Sequence, residues 1–203
     1  MSEYLVLDIE TAPLENAADY TDLIGIDKRL KDPEKIAEAK AKLVDGFALD
    51  LDLCRVVAIG FGMGESDPIF FLSQDQEQER EALIKFWRIA ADRTMVGKNL
   101  LGFDLPVLIQ RSRYLNVTAP DVNIDKYRSP HLDLQEILTF RGKFKWRSLG
   151  FYCKRFGIPH DDTVSGKNIP GLVAAGEWDK VAAHATDDVR ATAALAKRIG
   201  VMP

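Results

Sequence analysis

Apolar and polar positions change period along the chain, and each change marks an element. Tyr4 to Glu10 (YLVLDIE) is rich in strand formers and apolar on both alternating faces, as a central strand covered on two sides should be. Arg55 to Met63 and Pro68 to Leu72 read as two further strands. Gly64-Glu65-Ser66-Asp67 between them is a turn-forming cluster, so the pair is expected to be an antiparallel hairpin. From Glu77 to Ala91 the apolar residues Leu83, Trp87 and Ala90 recur at helical spacing, and a short strand, Thr94 to Gly97, follows. A helix is expected over Asp104 to Leu115, with Pro106 in its first turn, and a short strand near His131 to Leu134. The last helix spans about Glu177 to Ile199. Its inward stripe holds Val181, Ala185, Asp188, Val189, Thr192, Leu195 and Ile199, while Lys180, Arg190, Lys197 and Arg198 lie mostly elsewhere.

A strand-rich first half and a helix-rich second half, with no internal repeat, predict an α/β fold with a mixed sheet flanked by helices. The 203 residues suit one domain over 1–203. Residues 14–50 read as a partly helical insertion, because Asp32-Pro33-Glu34 supplies an N-cap and a first-turn proline before an Ala- and Lys-rich run. No apolar run approaches the roughly 20 residues that cross a bilayer, so no membrane association is expected. The N-terminus carries no basic flank with an apolar stretch, and a cytoplasmic protein is expected. Cys54 and Cys153 lie in no metal-binding pattern and read as reduced core thiols. The net charge is −4, so any contact with a polyanion must come from a local patch.

The informative polar residues are acids in apolar surroundings. Asp8 and Glu10 sit two apart on the first strand, so both side chains leave the same face. Two like charges on a covered face call for a counter-ion, and hard cations such as Mg²⁺ or Mn²⁺ suit carboxylates. Asp104 lies at a strand-to-helix junction, where an N-cap is the default reading and is compatible with a place among the site acids. His184 is one helical turn before the inward-facing Asp188, so both can reach one pocket; the alternative is a His–Asp pair that satisfies itself in the core.

In this order, Asp8-x-Glu10, then Asn99 to Asp104, then His184-x-x-x-Asp188 resembles the three motifs of the DEDD (DnaQ-like) 3′-to-5′ exonucleases. Leu7-Asp8-Ile9-Glu10-Thr11 is similar to the first motif of the proofreading domains of family B DNA polymerases. Asn99-Leu100-Leu101-Gly102-Phe103-Asp104-Leu105-Pro106 is similar to their second. The segment from Ala48 to Gly60, and Leu132-Asp133-Leu134, resemble the stand-alone exonucleases related to those domains. The third motif departs from the pattern: its spacing is that of the branch written Y-x-x-x-D, whereas its histidine belongs to the branch written H-x-x-x-x-D. Position 189 is Val, which leaves Asp188 as the fourth carboxylate and puts His184 in the tyrosine's place.

The resemblance implies a ribonuclease H-like fold and a site of Asp8, Glu10, Asp104 and Asp188 around two divalent metal ions, Mg²⁺ or Mn²⁺. Such ions lie about 3.5–4 Å apart. Asp8 would bridge them, Glu10 and Asp188 would complete one position and Asp104 the other. His184 would orient the attacking water and take its proton, which imidazole does near neutral pH. The activity implied is removal of nucleoside 5′-monophosphates from the 3′ end of single-stranded DNA. An exoribonuclease and a non-catalytic nucleic-acid-binding or polymerase-accessory module are the rival readings. A polymerase or another replication or repair protein is the implied macromolecular partner. Thr11 and Asn99, within the motifs, are expected near the substrate, and Phe103 is placed to wedge against the terminal base.

Phe140 to Phe156 carries Arg141, Lys143, Lys145, Arg147, Lys154 and Arg155 and no acid, with aromatics including Trp146 between the charges. Cations follow phosphates and aromatic faces stack on unpaired bases, which suits a single strand or a frayed end. The alternative is an amphipathic helix with a solvated basic face, and Leu149, Tyr152 and Phe156 are expected to join the core. Lys167 reads equally as a phosphate contact or an exposed loop lysine.

Overall fold

The computed structural model describes residues 4–25, 29–63, 66–161 and 163–203. Among the described residues five strands, β1 (Tyr4–Pro13), β2 (Cys54–Gly62), β3 (Ile69–Leu72), β4 (Thr94–Gly97) and β5 (Leu132–Asp133), form one sheet in the order β3-β2-β1-β4-β5. β1 pairs antiparallel with β2 and parallel with β4; β2–β3 is antiparallel and β4–β5 parallel. The expected mixed sheet and the β2–β3 pairing are therefore present, although Gly64 and Glu65 of the expected turn lie outside the described residues. The helices are α1 (Thr21–Ile24), α2 (Pro33–Gly46), α3 (Gln76–Ala90), α4 (Leu105–Tyr114), α5 (Leu134–Leu138), α6 (Leu149–Phe156), α7 (Ile169–Ala174) and α8 (Trp178–Arg198). None among the described residues is long and apolar enough to cross a membrane.

The strand period divides β1 between two cores. Leu5, Leu7 and Ile9 pack with Leu83, Phe86 and Trp87 of α3 and Leu105 and Leu108 of α4. Val6, on the opposite face, packs with Val189 and Leu195 of α8. Each large apolar side chain buried in this way contributes about 1.5–3 kcal/mol. Asp8 and Glu10 share the parity of Val6, so the same alternation that builds the cores turns both acids toward α8. Opposite Asp8 in the β1–β2 register stands Gly60, where a Cβ would come within 3.0 Å of Val189 Cγ2 and 3.2 Å of the Ala185 carbonyl oxygen. The missing side chain lets α8 close onto the sheet at the height of the acids.

β4 runs alongside only Tyr4 to Val6, so β1 continues past the carboxyl end of β4 and carries Asp8 and Glu10 into the space beyond. A crevice outside the carboxyl ends of parallel strands is where open α/β sheets place their ligand sites. Behind the sheet, Glu79 and Arg111 form a buried bidentate pair, with both nitrogen–oxygen distances 2.8 Å, and Glu79 also accepts the Val56 N–H at 2.8 Å. The expected insertion is largely helical. Asp32 caps α2 by accepting the Glu34 N–H, and no α2 residue is buried, as expected of a surface helix. Cys54 and Cys153 are buried and form no disulfide among the described residues, as expected.

Candidate active site

Three separated stretches of chain meet at the crevice. β1 supplies Asp8 and Glu10, and Glu10 is almost fully buried. Asp104 arrives from a π-helical turn, Leu100–Asp104, that leads from β4 into α4. The expectation that Asp104 caps α4 is corrected: its side chain makes no cap hydrogen bond, and its Oδ1 instead accepts the Ile9 N–H at 3.2 Å. That N–H lies where β1 has outrun β4 and has no strand partner, so the carboxylate takes the place of a missing strand.

The turn that carries Asp104 is held from β5. Asp133 accepts the N–H groups of Asn99 at 3.0 Å, Leu101 at 2.9 Å and Gln135 at 2.8 Å, fixing the start of the turn and of α5 together. Asn99 is in the left-handed region, with φ +62°. Gly102 lets the Asn99 side chain pack against the turn, since a Cβ there would stand 2.5 Å from Asn99 Oδ1 and push that amide aside.

α8 closes the site from the other side. His184 Nε2 lies 3.5 Å from Glu10 Oε1 and 3.8 Å from Asp188 Oδ2, one helical turn along. The second distance is too long for a hydrogen bond, so the self-satisfied His–Asp pair is not what forms. His184 is buried and its Nδ1 has no hydrogen-bond partner among the described residues. It also lines an open cavity of about 510 Å³ with Thr163, Val164, Leu172 and Asp187, which gives solvent a route to the imidazole.

Electrostatics tie the acids together. Burial, then Glu10, Asp104 and Asp188 in that order, hold the Asp8 carboxyl well above the usual range, against the pull of Lys98. Burial, then Asp188 and Asp104, do the same to Glu10. Asp104 is pushed up to about 7, mainly by burial, with its backbone hydrogen bonds opposing. Acids close enough for Asp104 and Asp188 to penalise the ionisation of Asp8 and Glu10 form a donor set suited to a hard divalent cation. Glu10, His184 and Asp188 offer ligand atoms all within 4.8 Å of one another, and so do His160, Asp187 and Asp188.

The remaining expected contacts fall in different places. Asn99 immediately precedes the π-helical turn and Phe103 lies within it beside Asp104, partly packed on the core. Thr11 is buried at the β1 bulge and its hydroxyl donates to the Ala48 carbonyl at 2.6 Å, so it fastens β1 to the insertion. Arg141, Lys143, Lys145, Trp146 and Arg147 are exposed on a loop before α6, while Leu149, Tyr152 and Phe156 of α6 join the core as expected. The basic stretch is thus loop first and helix after, because Phe140, Arg141 and Gly142 all take positive φ. Lys167 is exposed in a short 3-10 turn, Gly166–Asn168.

Two neighbours of the acids went unassigned in the sequence. Lys98 Nζ bonds Gln135 Oε1 at 2.9 Å, lies 4.5 Å from the Trp146 ring centroid, and feels the charges of Asp133, Asp104, Asp8 and Asp188. His160 Nδ1 lies 2.6 Å from Asp187 Oδ2, with its Nε2 3.9 Å from Asp188 Oδ1. The available signal was scarcity: the chain has three histidines, and two of them flank Asp188.

Residues 47–202 match the family described as "Predicted 3'-5' exonuclease related to the exonuclease domain of PolB". The match covers most of the chain, which belongs to that family. No curated protein matches the sequence. The fold is similar to a family B DNA polymerase from the hyperthermophilic archaeon Pyrobaculum calidifontis, with TM-score 0.62, 18% identity, and coverage of 97% of this chain and 24% of the polymerase. A product-bound exonuclease I matches with TM-score 0.48 and 15% identity over 98% of this chain and 43% of that one. The chain thus spans less than half the length of either protein. The likeness to the polymerase shows the ribonuclease H-like fold that the motifs imply.

Proposed function

We propose that the chain is a metal-dependent 3′-to-5′ exonuclease that hydrolyses single-stranded DNA, or frayed 3′ ends, to nucleoside 5′-monophosphates. What supports this reading is that Asp104 and Asp188, from two distant segments, both raise the cost of charge on Asp8 and Glu10 of β1. Asp8, Glu10, Asp104 and Asp188 would hold a pair of divalent ions, which when bound supply a more acidic water and offset charge on the phosphoryl and leaving oxygens.

The protein's own groups do the rest. His184 Nε2, facing Glu10 and Asp188, orients a water and accepts its proton as the water oxygen bonds to phosphorus. The bond from phosphorus to the 3′ oxygen of the preceding nucleotide breaks, and the terminal nucleotide leaves with its 5′ phosphate. Lys98 presents a cation beside the acids, where a phosphate must pass. Trp146 and the exposed Arg141, Lys143, Lys145 and Arg147 provide a stacking face and backbone contacts for an unpaired strand.

The test is digestion of matched 5′-labelled DNA and RNA oligonucleotides with free and blocked 3′ ends, with Mg²⁺, with Mn²⁺ and with chelator. Stepwise loss of nucleoside 5′-monophosphates from free 3′ ends of DNA, abolished by Asp8→Ala with Glu10→Ala while binding is retained, is the expected result. Faster digestion of RNA would move the substrate to the exoribonuclease reading. Release of nothing from either would leave the binding-module reading.

A further inference from the structure

The four carboxylates leave His160 without a role. It sits in the loop before α7, 24 residues before His184, yet its side chain is 7% exposed and its ring is directed at Asp188. Asp187 Oδ2 lies 2.6 Å from His160 Nδ1 and also accepts the Asp161 N–H at 2.9 Å. A carboxylate so anchored fixes the ring orientation and takes the Nδ1 hydrogen, which turns the Nε2 lone pair toward Asp188 Oδ1, 3.9 Å away. A carboxylate behind an imidazole whose far nitrogen faces another donor is the arrangement of a metal-bound histidine with its supporting acid.

Two further observations point into the same space. Asp188 is common to both groups of potential ligand atoms, so whatever it binds is within reach of His160 and of Glu10's side of the crevice. His184, 8% exposed and with no hydrogen bond at Nδ1 among the described residues, directs Nε2 at Glu10 and at the other oxygen of Asp188. The two histidines differ in one respect. Asp187 Oδ2 lies 2.6 Å from the His160 ring and holds its orientation, whereas the carboxylate oxygens facing His184 Nε2 stand 3.5 and 3.8 Å away.

We propose that His160 Nε2 is a metal ligand, which makes the position at Asp188 a mixed nitrogen–oxygen site held from behind by Asp187. Adjacent ligands on bonds of about 2.1 Å stand about 3.0–3.4 Å apart, so the 3.9 Å between His160 Nε2 and Asp188 Oδ1 would need to close by only about 0.5–0.9 Å for both to hold one ion. Mg²⁺ prefers an all-oxygen shell and dehydrates reluctantly, whereas an imidazole ligand favours the first-row transition ions. The site therefore selects Mn²⁺ over Mg²⁺. This deepens the proposed function and rests on its metal site.

The test uses Mn²⁺ alone with the whole chain. Titration calorimetry counts bound ions and compares Mn²⁺ with Mg²⁺, and pulsed electron paramagnetic resonance reads the coupling of bound Mn²⁺ to imidazole nitrogen. Wild type is expected to bind Mn²⁺ more tightly than Mg²⁺ and to show nitrogen coupling. His160→Ala is expected to lose the coupling and about 10- to 100-fold in Mn²⁺ affinity with a smaller loss for Mg²⁺, while His184→Ala keeps the coupling. Asp187→Asn, which disturbs packing less, is expected to weaken Mn²⁺ in the same direction, and circular dichroism shows that each variant is folded. Bound Mn²⁺ without nitrogen coupling, or coupling that survives His160→Ala and vanishes in His184→Ala, overturns the assignment of His160 while leaving the metal-dependent reading intact. No binding of either ion by wild type overturns both.

Discussion

Replacing Asp104 by Asn separates the cost of the site from its use. In the metal-free protein the Asp104 carboxyl is raised from 3.8 to about 7, chiefly by burial. An acid whose folded pKa is raised destabilises the fold progressively as pH climbs from about 4 to about 7; below that window it is protonated in both states and costs nothing. At about 1.4 kcal/mol per pH unit, the whole span amounts to a ceiling of about 4 kcal/mol. Asparagine keeps an oxygen that can accept the Ile9 N–H and carries no charge, so Asp104→Asn retains the contact and removes the penalty. In a chain of this size about 4 kcal/mol corresponds to about 8–16 °C in Tm. The assay is thermal unfolding in chelator between pH 4 and pH 8. The variant is expected to match wild type at pH 4 and to exceed it by several degrees at pH 8. Added Mn²⁺ is expected to raise wild type by about 2.7 kcal/mol at one hundred times Kd and the variant much less. A variant less stable than wild type at pH 8, or a difference that does not change with pH, would refute the reasoning.

Three further outcomes are expected. His184→Ala should lower kcat by about 10²–10⁴-fold with little change in oligonucleotide affinity, measured by steady-state release of monophosphates and by anisotropy. Trp146→Ala should weaken single-stranded DNA binding by about 1–3 kcal/mol, or about 5- to 150-fold, and leave the affinity for Mn²⁺ unchanged. Arg111→Met, far from the acids, strands Glu79 as an unpaired buried charge and should cost about 3–5 kcal/mol, read as a fall of about 6–20 °C in Tm.

Local periodicity made part of this site legible in the sequence. Asp8 and Glu10 share a face because strands alternate, and His184 and Asp188 share one because helices repeat every turn; neither inference needs to know what lies opposite. What could not be read depended on partners brought together by the fold. Asp104 is placed among the site acids by its motif, but its position alone reads as a helix cap, because that is what an acid at a helix start usually does. It departs from that role because β4 ends at Gly97 and leaves the Ile9 N–H without a strand partner. His160 meets Asp187, 27 residues away, through a loop with no periodicity to follow. The contact of Lys98 with Trp146 likewise joins the end of β4 to a loop that begins with a run of positive φ angles, of which Gly142 was the only sequence sign.

The central claim is that carboxylates from β1, the turn before α4 and α8 surround divalent ions in one crevice. Anomalous diffraction from a crystal soaked in Mn²⁺ measures this most directly. Peaks enclosed by Asp8, Glu10, Asp104 and Asp188 are the predicted result; Mn²⁺ bound only elsewhere, or a crevice that stays without anomalous signal at saturating Mn²⁺, would contradict it.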